Sequence, residues 1–74
     1  MRLRELREEY DYKQDVLAKC LGVKQHTYSQ YETGKRQIPV EALIKLAKLY
    51  NVSVDYILEL TDIEDPYPQN KTTK

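Results

Sequence analysis

The chain has 74 residues, with Lys plus Arg and Asp plus Glu balanced at 12 each, which allows one domain and no net-charge argument for nucleic acid or membrane. Its single cysteine excludes an intramolecular disulfide and a thiolate metal cluster, and no apolar run reaches membrane-spanning length. A domain this small buries only about 60% of the surface its unfolded chain exposes, so its core must be tight and self-association would add stability.

The charge is unevenly spread. Between Lys13 and Arg36 stand Lys13, Lys19, Lys24, Lys35 and Arg36 against Asp15 and Glu32. From Glu59 onward the acids Glu59, Asp62, Glu64 and Asp65 outnumber Lys71 and Lys74. A basic middle with an acidic end suggests one side that faces a polyanion. The opening "MRLRELREEY" is charged throughout and unlike a secretory signal, so a soluble, reduced, cytoplasmic protein is expected.

Apolar spacing and punctuation predict five helices and no useful strand. The first covers roughly residues 2–10, with Leu3, Leu6 and Tyr10 at i, i+3 and i+7. The second covers roughly 14–21, with Leu17, Ala18 and Leu21 inward and Gly22 in the left-handed position that closes a helix. The third runs from about Gln25 to Thr33 and ends at Gly34, with Val23 placed to staple onto Tyr28. "QIPVEALIKLAKLYN" carries the fourth, with Val40, Leu43, Ile44, Ala47 and Tyr50 as its stripe, Pro39 at the first turn and Asn51 at the exit. "VSVDYILEL" carries the fifth, with Ser53 as N-cap, Asp55 in the first turn, and Val52 and Ile57 as a staple. Beyond Thr61, "DIEDPYPQNKTTK" reads as a polar tail. The expected architecture is an all-α bundle of five short helices over 1–61, followed by a flexible C-terminal tail over 62–74.

The third helix has two unlike faces. Tyr28 and Tyr31 lie three apart on one, whereas Gln25, His26, Ser29, Gln30 and Thr33 share the other. That second face is uncharged and rich in hydrogen-bonding groups.

The helix–Gly–helix stretch "QDVLAKCLGVKQHTYSQYET" has the spacing of a DNA-binding helix-turn-helix: a small Ala18 where two helices cross, a glycine turn, and tyrosines packing back. With "LRELREEY" before it, and "YETGKRQIP" and "LIKLAKLYNVSVDYIL" after it, residues 1–61 resemble the Cro and phage-repressor (XRE-type) helix-turn-helix domain. That resemblance implies a lambda-repressor-like fold in which helices 2 and 3 form the helix-turn-helix. It implies a small transcriptional regulator, a repressor that occludes a promoter, with helix 3 in the major groove of an operator.

Carried over position by position, the base readers are Gln25, His26, Ser29 and Gln30. Glutamine pairs bidentately with adenine N6 and N7, histidine donates to guanine, and serine takes either role. The phosphate contacts implied are Gln14, Lys24, Tyr28, Lys35, Arg36 and Gln37. Arg7 and Glu32 match an ion pair that braces the first helix against the third. Family members commonly pair over a palindromic site, and the apolar Tyr56, Leu60 and Ile63 mark the expected homodimer surface. His26 is the only histidine, with no carboxylate or thiol at ligand spacing, so no metal, cofactor or enzymatic centre is expected.

The chain departs from the family where Ser or Thr usually caps helices 2 and 3: here stand Lys13 and Lys24. Lysine accepts no hydrogen bond, so each start forgoes about 1 kcal/mol. Asp11 is placed to compensate if "DYKQ" forms a capping box. Val16 and Cys20, at i and i+4, replace charged positions with an apolar spot. That spot, the acidic end and the zero net charge keep a second reading open: a protein-interaction module on the same scaffold, an antitoxin or an anti-repressor partner.

Overall fold

Five helices follow in order in the computed structural model: α1 (Leu3–Glu9), α2 (Gln14–Leu21), α3 (Gln25–Thr33), α4 (Val40–Tyr50) and α5 (Val54–Ile57). The structure describes residues 1–65, so residues 66–74 of the expected tail lie outside the described residues. Among the described residues all regular structure is helical.

Four of the helices end alike, with a left-handed residue followed by an N–H that reaches back five positions. Asp11 (φ 60°) closes α1 as Tyr12 N–H donates to the Arg7 carbonyl at 3.0 Å. Gly22 (φ 74°) closes α2 as Val23 donates to Ala18 at 2.9 Å. Asn51 (φ 57°) closes α4 as Val52 donates to Ala47 at 3.0 Å, and Glu59 (φ 65°) follows α5 as Leu60 donates to Asp55 at 2.8 Å. Each closure satisfies carbonyls that a helix end would otherwise strand, and turns the chain sharply enough for short connections.

Three expectations are corrected, two of them by these closures. The Asp11 capping box does not form, because Asp11 ends α1 and α2 starts from Lys13 without a side-chain cap. The fifth helix is four residues long, since the left-handed Glu59 ends the run that "VSVDYILEL" suggested. On α4 the buried arc is Ala42, Leu43, Leu46, Ala47 and Tyr50, while Val40 and Ile44 are 66% and 43% exposed. At roughly 100° per residue those two fall just past the edge of the arc.

The start of α5 is as expected: Ser53 Oγ accepts from Tyr56 N–H at 2.9 Å, with Val52 and Ile57 both buried beside it. α2 packs chiefly on α3, α4 on α5, and α1 touches α3. Leu3, Leu6, Leu17, Leu46, Tyr28 and Ile57 fill the centre. With no Phe or Trp in the chain, tyrosines supply the aromatic bulk. Tyr10 and Tyr12 tilt against Tyr50 at 5.0 and 6.1 Å, and Tyr28 meets Tyr31 edge-on at 6.4 Å.

Arg2 ties the beginning of the bundle to its end. Its backbone N–H donates to Ile57 at 2.8 Å and its Nε to the Tyr56 carbonyl at 2.9 Å. Its Nη2 reaches Asp62 at 2.9 Å, and the guanidinium lies 4.4 Å from the Tyr56 ring centroid. Ser53 N–H also donates to the Glu64 carbonyl at 3.1 Å, so the chain just past Thr61 runs back over α5.

Candidate nucleic-acid interface

α3 begins after Lys24 in extended conformation, and no side chain caps its first turn. That turn holds no acidic residue either, so no side chain there satisfies its first N–H groups or offsets the positive end of the helix dipole. Gln25 and His26 are exposed there, and Ser29 is half-buried one turn on. With Gln14 at the start of α2 these three line an open depression of about 360 Å³. Helical spacing explains the grouping, since residues 25, 26 and 29 share a face and the α2–α3 turn brings residue 14 beside them.

Behind this face α3 is fixed by a buried carboxylate. Glu32 is 4% exposed at its side chain and accepts from Arg7 Nε at 2.6 Å and Nη2 at 3.4 Å. Gln14 Nε2 donates to the same carboxylate at 3.1 Å, and Arg7 Nη1 donates to the Tyr12 carbonyl at 3.1 Å. Three helices thus converge on one side chain. Burial alone would raise the Glu32 pKa, but the hydrogen bonds from Arg7, Tyr28 and Gln14 and the Arg7 charge hold it below the usual range. The Glu32 hydrogen bond raises the Arg7 pKa in turn.

Tyr28 requires a correction. Expected at a phosphate, it is 0% exposed, with its hydroxyl buried beside the Glu32 carboxylate. It sits at N4 of α3 within the buried core, against which Val23 also packs, so the hydroxyl is not presented to DNA. Burial, reinforced by the hydrogen bond to Glu32 and by its charge, pushes its pKa far above that of an ordinary tyrosine. Gln14, also expected at a phosphate, is half-buried and spends one amide hydrogen on Glu32. Its second hydrogen remains for a partner outside.

Lys24, Lys35, Arg36 and Gln37 are all exposed on the segments flanking α3. Arg36 is not independent of the helix, because its Nε donates to Gln30 Oε1 at 3.0 Å. No sequence spacing announces that contact, since it crosses a glycine between a helix and a loop. Among the described residues no three His, Cys, Asp or Glu side chains gather to hold a metal, and no helix is long and apolar enough to cross a membrane.

The helix-turn-helix family pattern matches residues 3–57, which includes all five helices. The chain belongs to the helix-turn-helix family. Among its relatives, "Uncharacterized HTH-type transcriptional regulator YobD" of Bacillus subtilis (strain 168) is 42% identical over 73 residues, 99% of this chain and 65% of the relative. "HTH-type transcriptional regulator ImmR" of the same organism is 40% identical over 57 residues, 77% of this chain and 45% of the relative. "Cryptic phage CTXphi transcriptional repressor RstR" of Vibrio cholerae is 40% identical over 53 residues, 72% of this chain and 48% of the relative. The chain therefore spans about half to two-thirds of the length of these proteins. No solved structure matched it. Within this helix-turn-helix, α2 and α3 are the paired helices, and the Gln14, Gln25, His26 and Ser29 face draws on the start of α2 and the first half of α3.

Proposed function

We propose that this helix-turn-helix chain is a sequence-specific double-stranded DNA-binding regulator of transcription, acting as a cytoplasmic repressor rather than as an enzyme. The observation that carries the reading is the division of α3. Its buried side is locked by Glu32, while Gln25, His26 and Ser29 stand uncharged around an open depression. Amides, an imidazole and a hydroxyl are the groups that read base edges, and Lys24, Lys35, Arg36 and Gln37 flank them for phosphates. Regulators and a phage repressor among the relatives support the same reading.

Selection of bound duplexes from a random pool tests it, together with titrations at several salt concentrations. Enrichment of a palindromic motif is expected, with affinity falling at roughly 0.9 log units per log unit of salt for each phosphate neutralised. A pool that enriches nothing, or binding that ignores salt, rejects it.

The regulator acts in our reading as a homodimer over two half-sites. Leu60 and Ile63 are 71% and 67% exposed near the partly exposed Tyr56, leaving apolar surface where a second copy would pack. Sedimentation that finds only monomer at high micromolar concentration, with and without operator DNA, rules this out. The exposed Val16 and Cys20 on α2 favour the second reading, an antitoxin-like or anti-repressor protein-interaction module. Salt-independent binding to a protein partner without DNA affinity would select it.

A further inference from the structure

Arg36 and Gln30 are joined twice. The Arg36 backbone N–H donates to the Gln30 carbonyl at 3.2 Å, and its Nε donates to the Gln30 side-chain Oε1 at 3.0 Å. Gly34, at φ 81°, lets the chain double back so that a loop residue meets the helix six positions earlier. Here the closure differs from the other four helices, because the chain travels one residue further before its N–H returns.

A glutamine amide has a donor side and an acceptor side, and a free one flips between them. With a guanidinium on Oε1, a flip would set Nε2 against a cation, donor facing donor. The bond is also charge-assisted and therefore stronger than one between neutral groups. Arg36 thus fixes the polarity of the Gln30 amide. Oε1 keeps a second lone pair and Nε2 keeps both hydrogens, so acceptor and donor are offered side by side.

That order complements adenine, which presents a donor at N6 beside an acceptor at N7 in the major groove. Guanine presents two acceptors, and its O6 would meet Oε1. Resting on the reading of α3 as the base-reading helix, we propose that Arg36 is a positioning residue for specificity: it holds the Gln30 amide in the orientation that selects adenine. Its remaining guanidinium nitrogens stay available to a phosphate. Charge alone therefore does not describe its role.

The experiment is selection from a random duplex pool with the full chain, Gln30→Ala, Arg36→Ala and the double variant, each checked for folding by thermal melting. Arg36 is exposed, so its truncation leaves the core untouched. The parent should enrich adenine at one position. Gln30→Ala and Arg36→Ala should each lose that preference at the same position, by about tenfold, and leave the others intact. The double variant should lose no further preference, only affinity. If Arg36→Ala weakens every sequence alike and keeps the adenine, the positioning role is overturned while DNA reading stands. If the parent itself enriches no motif, both are overturned.

Discussion

Arg7 on α1 and Glu32 on α3 meet at 2.6 Å with the carboxylate almost wholly out of solvent, and Gln14 from α2 completes the junction at 3.1 Å. A carboxylate so enclosed is tolerable only while its partners remain. Truncating one side of such a pair leaves the other charge stranded, at a cost of roughly 3–5 kcal/mol. Glu32→Ala and Arg7→Ala should each melt far below the parent. The double variant should lose much less than the sum, because no orphaned charge remains. Additive losses in denaturant titrations would show that the two residues act separately.

The same carboxylate sets an acid limit. Its folded pKa is depressed, so its contribution is complete above the unfolded glutamate value of about 4.3 and fades as pH falls through the lower folded value. The expected result is a melting temperature that drops on acidification below about pH 4. Glu32→Gln should be less stable than the parent at neutral pH and approach it in acid. Parallel pH profiles for the two proteins would contradict this linkage.

Tyr28 offers a substitution that separates core from interface. Its hydroxyl is buried beside the Glu32 carboxylate, which it helps to hold in its charged form. Tyr28→Phe should therefore lower the melting temperature modestly, by removing that contact, and leave operator affinity unchanged. A loss of affinity without a loss of stability would return the hydroxyl to the phosphate role that the structure denies it.

Lys24 forgoes an N-cap at the start of α3. Lys24→Ser should supply one, worth about 1 kcal/mol, which in a domain this size raises the melting temperature by about 4–8 °C. Operator affinity should fall for all sequences alike, and the salt slope should shrink by about one. A variant that gains stability and keeps full affinity would show that Lys24 meets no phosphate.

Much of this was legible before any coordinates. The bounds of α2 and α3 follow from Gly22 and Gly34, because a left-handed glycine leaves a local signature. The Ser53 cap and the flanking Val52 and Ile57 are local as well. What escaped was decided at a distance or by small rotations. Asp11 reads as a cap yet closes the preceding helix, since Asx residues tolerate both conformations. Val40 and Ile44 share a helical face with Ala47, but the width of the buried arc depends on what packs opposite. Spacing puts Tyr28 in the core while the family resemblance puts it at a phosphate, and its burial favours the spacing. No pattern in the chain announces that Arg36 returns to Gln30, because that contact exists only once the glycine has turned the backbone.

The left-handed turn at Gly34 also limits what can be transplanted from this protein. A chimera carrying only Gln25–Thr33 into another scaffold would take the amide without the arginine that aims it. A graft extended through Arg36 carries the amide, its aim and the turn that joins them. On the proposed role of Arg36, the unit of recognition is a helix with its returning loop, and redesign of base preference has two side chains to vary together.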